Sequence, residues 1–207
     1  LLSFNESRYN SLPFVFSLKW YEALSENEAI EYIKQVGNAL DYIHQNYINH
    51  LDVKPANIMV RRSDNKAILI DFGVSKHYSN EGAQTTTTPV GISHGYAPLE
   101  QYKRGGVGVF SPSTDIYSLG ATLYKLVTGS TPPDANDILT DGFPSCSELM
   151  SNLVYDAIAQ AMQPNKNVRP QSITEFFKIL DVSFTNEQEE TQCLDVLKDS
   201  FGIGNIY

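Results

Sequence analysis

The sequence predicts a mainly α-helical domain that contains one short β-hairpin. Apolar residues at helical spacing, preceded by helix-capping residues, recur along most of the chain. A single pair of short apolar runs, separated by a polar tip, predicts the hairpin. The chain has 207 residues, of which 42% are hydrophobic and 19% charged. This length and composition are typical of one soluble, globular domain with its own core.

The net charge of −9 argues against a nucleic-acid groove or a surface for anionic membranes as the partner. No apolar run approaches the roughly 20 residues that a membrane span needs. Cys146 and Cys193 lack metal-binding spacing, and we expect thiols in a reducing compartment. The chain begins with Leu1 and shows no signal-peptide pattern. We therefore expect a fragment of a cytoplasmic protein.

The first long helix is predicted after residue 25. Residues 1–20 hold two apolar runs around a polar loop, which predicts a strand pair. Ser25 and Glu28 match a capping box, so a helix begins here and ends near Asn46. Its apolar positions follow helical spacing: Ala29, Ile30, Ile33, Val36, Leu40 and Ile43. His44, near its end, is expected to be structural.

The hairpin comes next, with apolar runs at 58–60 and 67–70 and a polar tip at 61–66. It would bring Asp52, Lys54, Asn57 and Asp71 to one edge. Asn57 and Asp71 offer the oxygen ligands that Mg²⁺ prefers. Lys54 can neutralise charge on a moving phosphoryl group, and Asp52 can accept a proton from an attacking hydroxyl.

The second half of the chain is predicted to be helical with loops between. Residues 114–129 form a helix that is apolar on most faces, belongs in the core and ends at Gly129. Residues 130–147 contain three prolines and are predicted to be a loop. Residues 149–162 are predicted to be helical, and Ser172 caps a last helix. The expected core positions of these two helices are Leu153, Ala157, Ile158, Ala161, Ile173, Phe176, Phe177 and Leu180.

Residues 50–57, His-Leu-Asp-Val-Lys-Pro-Ala-Asn, followed by Asp-Phe-Gly at 71–73, resemble two protein kinase motifs. The family signature reads H-R-D-x-x-x-x-N and then D-F-G. Both motifs, in this order and with a strand pair between them, make the resemblance specific. It implies the C-terminal, or large, lobe of a kinase over residues 21–182. Residues 1–20 are then a possible remnant of small-lobe strands, and residues 183–207 a tail or linker.

The resemblance implies a bacterial, eukaryotic-like (Hanks-type) serine/threonine protein kinase. Such an enzyme transfers the γ-phosphoryl group of ATP to a protein Ser or Thr hydroxyl with Mg²⁺. Asp52 and Lys54 match its catalytic pair, and Asn57 and Asp71 match its metal ligands. Lys54 favours Ser/Thr over Tyr substrates. Lys54 and Asn57 would also contact the nucleotide, and Met59 would form part of the floor under the adenine ring.

Residues 91–101 resemble the end of a kinase activation segment, although Pro98-Leu99 stand where Ala-Pro is usual. Ser93 would hydrogen-bond toward Asp52 and Lys54. Glu100 would form a buried bridge with Arg169.

Further supporting positions follow from the same resemblance. His50 and Phe72 would pack behind the site, and Asp115 would accept hydrogen bonds from the catalytic-loop backbone. Thr85, Thr86, Thr87 and Thr88 are possible phosphorylation sites, or simply part of a solvated loop. Leu51 replaces the family's Arg and cannot bind a phosphate through charge-assisted hydrogen bonds.

The marks of a kinase small lobe are missing from the sequence: a Gly-rich loop, a strand Lys and a helix Glu that pairs with it. We therefore expect the chain to need an N-terminal lobe as partner and to be inactive alone. The alternative is a pseudokinase or scaffold, which keeps the fold without the chemistry. A phosphotransferase for small molecules is less favoured, because residues 91–101 suggest a peptide-binding surface.

Overall fold

The structure is a computed structural model that describes residues 15–17, 23–73, 75–77, 91–102, 110–145 and 149–180, with residues 15–17 and 76–77 described by their backbone alone. Several predicted features lie outside these ranges: Thr85 to Thr88, Cys146, Cys193, the tail 183–207 and most of residues 1–20.

The described residues form five α-helices and five short strands. The helices are α1 Glu26–Gln45, α2 Pro112–Thr128, α3 Ala135–Asp141, α4 Asn152–Ala161 and α5 Ile173–Ile179. The strands are β1 Val15–Ser17, β2 Ile48–Asn49, β3 Ile58–Arg61, β4 Lys66–Leu69 and β5 Lys76–His77. This confirms the mainly helical fold class. Within the described part of the chain, no helix has both the length and the apolar character to cross a membrane.

The predicted hairpin is present as β3 and β4, which pair antiparallel with Ile58 opposite Leu69 and Arg61 opposite Lys66. β1 adds to the other side of β3, also antiparallel, and makes a three-stranded sheet of order β1-β3-β4. A second, two-stranded sheet pairs β2 with β5. The sequence did not predict this sheet, because a two-residue pairing between distant segments has no local signature.

The core lies where α1, α2, α4 and α5 pack together and where α1 covers β4. Two glycines bring these elements close to one another. A Cβ atom on Gly120 of α2 would lie 2.6 Å from the Cβ of Ala161 on α4. A Cβ atom on Gly37 of α1 would lie 2.5 Å from the ring of Phe177 on α5. The helices can therefore approach only because these positions lack a side chain.

α1 and α2 largely follow the prediction. Ser25 caps α1 and accepts a hydrogen bond from Glu28 N at 3.4 Å. α2 begins at Pro112 rather than at Thr114, with Ser111 as its N-cap residue. Thr114 is instead the second partner of a capping box, and its Oγ1 accepts from Ser111 N at 3.3 Å. Gly129 ends α2 in the left-handed conformation, with φ 69°.

α3 corrects the prediction of a loop at 130–147. Asp134 caps it by accepting a hydrogen bond from Asn136 N at 3.1 Å, and Gly142 follows its last residue with φ 83°. The prolines lie outside the helix. The short helix buries Ala135 and Ile138, too few apolar positions to show helical periodicity in the sequence.

α4 and α5 differ in how well the sequence predicted them. α4 begins at Asn152, capped by Ser151, rather than at Leu149. Its buried residues are Val154, Ala157, Ile158 and Ala161. The prediction that Leu153 faces the core was wrong, because it lies beside this stripe and remains 40% exposed. In α5, the predicted cap Ser172 and the buried aromatic residues are present.

Candidate active site

The turn before the hairpin is held by one buried carboxylate. His50 N and Leu51 N donate hydrogen bonds to Asp115 Oδ2 and Oδ1, at 2.9 and 2.7 Å. His44 Nε2 lies 2.8 Å from the same carboxylate, which is fully buried. The predicted contact of Asp115 with this backbone is therefore present. His44, expected to be structural, packs inside the fold against the same group.

Leu51 adopts a left-handed backbone conformation, with φ 67°. For a residue with a side chain, this conformation costs about 1–2 kcal/mol. Such strain persists where the surroundings over-determine the backbone. Here Leu51 is buried, with a relative exposure of 2%, and its backbone N–H is held by the Asp115 carboxylate. The turn that leads into Asp52 is thus built by tertiary contacts.

His50 packs behind the turn as a neutral imidazole. Its Nε2 donates to Ile70 O at 3.1 Å, and its Nδ1 accepts from Asp52 N at 3.3 Å, which assigns the proton to Nε2. Burial lowers the pKa of His50, against the opposing influence of Asp115. The Phe72 ring meets the imidazole edge-on at 4.8 Å between centroids. His50 and Phe72 therefore occupy the positions expected of them behind the site.

The side chains of Ser93 and Lys54 both contact the carboxylate of Asp52. Ser93 Oγ donates to Asp52 Oδ1 at 2.6 Å, and Lys54 Nζ lies 2.9 Å from Asp52 Oδ2. Lys54 Nζ also donates to Ser93 Oγ at 2.9 Å. The contacts expected of Ser93 are both present. The side chains of Lys54 and Asp52 are 26% and 16% exposed, so the cluster lies at the surface, where a substrate can reach it.

Asn57 connects this cluster to the hairpin. Its Nδ2 donates to Asp52 O at 2.8 Å and to Asp52 Oδ2 at 2.9 Å. On the other side, Ile70 N donates to Asn57 O at 2.9 Å, and Asp71 is the next residue. The hairpin thus brings Asp71 to the same edge as Asn57. The exposed Asp71 side chain accepts a hydrogen bond from Gly73 N at 3.2 Å.

The oxygen atoms at this edge are of the kind that Mg²⁺ prefers. The two hydrogen bonds of the Asn57 amide use its nitrogen, so its oxygen is the atom that can bind a cation. Among the described residues, no group of three or more His, Cys, Asp or Glu side chains could hold a metal. Mg²⁺ bound with a polyphosphate requires only one or two carboxylates, because phosphates and waters complete its coordination.

The predicted bridge between Glu100 and Arg169 is present and buried. Arg169 Nη1 and Nη2 donate to Glu100 Oε1 and Oε2 at 2.7 and 3.1 Å. The guanidinium group lies over the ring of Tyr117, 5.0 Å from its centroid. Three backbone carbonyls accept its remaining hydrogen bonds: those of Gln163, Pro164 and Ser113. The bridge joins the end of the 91–102 segment to the loop before α5.

Met59 lies buried in the sheet, and Gln101 contacts the backbone of the turn before Asp52. Met59 is a 96% buried residue of β3, with an exposure of 4%, and lies opposite Ser17 and Ile68. Its place under an adenine ring stays a prediction. Gln101 was not predicted to take part, yet its Nε2 donates to Leu51 O at 2.8 Å. No local pattern in the sequence marks this contact, because the two residues are far apart along the chain.

Residues 11–198 match the protein kinase domain family. The chain belongs to the protein kinase family. The match includes the turn at residues 50–52, the hairpin and the five described helices, and it continues beyond residue 182 at one end and before residue 20 at the other.

Similar proteins include several bacterial kinases. The serine/threonine-protein kinase PknD of Mycobacterium tuberculosis is 35% identical over 152 residues, which are 70% of this chain and 22% of PknD. A probable serine/threonine-protein kinase of Clostridium acetobutylicum is 44% identical over 110 residues, which are 53% of this chain and 16% of that protein. The chain thus spans about a fifth of the length of these relatives.

Two solved structures have a similar fold. The apo form of PpkA-294 covers 74% of this chain and 54% of its own, with a TM-score of 0.58 and 26% identity. The kinase domain of M. tuberculosis PknI, in a double-mutant form, has a TM-score of 0.56 at 24% identity and covers 77% and 56% of the two chains. The second likeness concerns the fold alone.

Proposed function

We propose that this chain is the large lobe of a serine/threonine protein kinase. Together with a small lobe, it transfers the γ-phosphoryl group of ATP to a Ser or Thr hydroxyl of a protein. The observation that carries the proposal is the convergence of Ser93, Lys54 and Asn57 on the carboxylate of Asp52. Membership of the kinase family and the names of the similar bacterial proteins support the same reaction.

Asp52 acts on the hydroxyl that attacks the phosphoryl group. Its carboxylate orients the hydroxyl and accepts its proton as the new bond to phosphorus forms. The hydrogen bonds from Ser93 and Asn57 hold this carboxylate in one orientation, so little reorganisation is needed when the hydroxyl arrives. Lys54 Nζ lies 2.9 Å from Asp52 Oδ2, beside the place that the attacking hydroxyl takes, where its ammonium group stabilises the charge on the transferring phosphoryl group.

Asn57 and Asp71 hold the nucleotide by way of its metal ion. When bound, Mg²⁺ neutralises negative charge that develops on the phosphate oxygens. The hairpin fixes the distance between the two residues, because Asn57 and Ile70 pair across it. Met59, the second residue of β3, would contribute to the adenine pocket that the small lobe completes.

The test is phosphorylation by the intact protein, meaning this chain with its small lobe. Asp52→Asn keeps the size of the side chain but removes the proton acceptor, and we expect turnover of a Ser/Thr protein substrate to fall by about 10²–10⁴-fold. Asp156→Asn is the matched control, since Asp156 is an exposed residue of α4. ATP binding by Asp52→Asn should be retained.

Two outcomes would contradict the proposal. Unchanged turnover in Asp52→Asn would show that this carboxylate is not the proton acceptor. Binding of ATP by the unaltered protein with no phosphoryl transfer to any Ser/Thr substrate would favour the pseudokinase or scaffold alternative instead.

A further inference from the structure

The peptide unit between Leu51 and Asp52 is held at both ends by side chains. Its carbonyl oxygen accepts a hydrogen bond from Gln101 Nε2 at 2.8 Å, and its N–H donates to His50 Nδ1 at 3.3 Å. A peptide unit is planar, so fixing both ends fixes the direction in which the chain enters Asp52. Gln101 therefore controls the backbone that carries the Asp52 carboxylate without touching that carboxylate.

The amide of Gln101 can have only one orientation. Leu51 O is an acceptor, so the nitrogen of the amide must face it and the oxygen must point away. Among the described residues, this oxygen, Oε1, is buried and has no hydrogen-bond partner. An unpartnered buried acceptor is unfavourable for stability. An apolar side chain of the same length would remove this oxygen but would also leave Leu51 O without its donor, so the two effects on stability oppose each other.

Gln101 is itself held in place by its surroundings, so it can hold the turn at residues 50–52 in one position. Its N–H donates to Pro98 O at 3.0 Å, and its neighbour Glu100 is fixed by the bridge to Arg169. Gln101 itself is buried, with an exposure of 6%. Leu51, which supplies the carbonyl oxygen, has an apolar side chain that cannot form a hydrogen bond to hold the turn. Its backbone is also in the left-handed conformation. The amide of Gln101 holds this turn through an uncharged hydrogen bond instead.

We propose that Gln101 is a positioning residue for phosphoryl transfer: its amide holds the Leu51–Asp52 peptide unit and thereby directs the Asp52 carboxylate toward the attacking hydroxyl. This inference rests on the proposed kinase function. It predicts that a variant without the amide loses catalytic rate while its thermal stability changes little.

The experiment compares Gln101→Met with Gln163→Met in the intact protein. Methionine matches glutamine in length and removes both the donor and the unpartnered oxygen. Gln163 is a matched control, because its Nε2 also donates to a backbone carbonyl, that of Ala159, at 3.0 Å. For Gln101→Met we expect kcat to fall about tenfold or more, with KM for ATP changed less than about twofold. The thermal midpoint should change little, because loss of the hydrogen bond to Leu51 O opposes removal of the unpartnered Oε1.

A kcat of Gln101→Met within about twofold of the unaltered protein would overturn the inference, as would an equal loss in Gln163→Met. A fall in kcat that accompanies a large loss of thermal stability would also overturn it, because Gln101 would then be structural. If Gln101→Met does not fold, Gln101→Asn serves instead. The asparagine amide is one methylene too short to reach Leu51 O, so this variant should show the same loss of kcat.

Asp52→Asn, measured alongside, separates the two proposals. If Asp52→Asn keeps full activity, the proposed kinase mechanism itself is wrong. If Asp52→Asn loses activity and Gln101→Met does not, only the positioning role is refuted.

Discussion

Replacing Arg169 by methionine tests how much the buried bridge to Glu100 stabilises the fold. Methionine keeps most of the aliphatic volume but removes the guanidinium group, which makes two hydrogen bonds to Glu100 and three to backbone carbonyls. The Arg169 side chain is fully buried and that of Glu100 is 9% exposed. In the variant, Glu100 therefore remains buried with Thr114 Oγ1 as its neighbour at 3.2 Å.

The expected loss follows from leaving a carboxylate buried without its counter-charge. Removing one partner of a buried ion pair costs about 3–5 kcal/mol. In a chain of this size, 1 kcal/mol corresponds to about 2–4 °C in thermal midpoint, so we expect a decrease of about 6–20 °C. Replacing both partners, as in Glu100→Leu with Arg169→Met, should recover part of this loss, because no unpaired charge then remains inside.

Thermal unfolding followed by circular dichroism measures the effect. Arg62→Met is the control, because Arg62 is exposed at the tip of the hairpin and its loss should change the midpoint by less than about 2 °C. An Arg169→Met midpoint within that same range would refute the reasoning. A double variant no more stable than Arg169→Met would show that the unpaired carboxylate is not the cause of the loss.

Two further predictions concern the catalytic turn. Ser93→Ala removes the hydroxyl that bridges Asp52 and Lys54, so kcat of the intact protein should fall by about 10–100-fold, whereas Ser93→Thr keeps the hydroxyl and most of the activity; equal activity in both variants would contradict this. His50 supplies a pH test, because burial lowers its pKa in the folded chain below the ordinary value of 6.5. Below that pH the unfolded chain binds a proton that the folded chain does not, so the free energy of unfolding should decrease as pH falls through 6.5 toward the folded pKa. Urea unfolding at about pH 7.5 and about pH 5.5 should show a smaller decrease for His50→Phe than for the unaltered chain, and equal decreases would exclude this assignment.

Local sequence signals predicted much of the fold. The start of α1 at its Ser25 cap, the β3-β4 hairpin and the aromatic face of α5 depend on residues close together in the chain. The signals failed where the deciding contact is distant or the element is short. α3 has seven residues, and β2 pairs with β5 through two residues on each side, so neither has a period long enough to detect.

The sequence alone determined which chemical groups the site would contain, because Asp52, Lys54, Asn57 and Asp71 stand in a recognisable order along one turn and one hairpin. Only the tertiary structure decided how those groups are held. The strained turn at Leu51 depends on a carboxylate from α2 and an amide from the 3-10 turn at Leu99–Tyr102. A buried hydrogen bond between distant residues forms only when packing brings donor and acceptor together and excludes water, and no local pattern encodes that meeting.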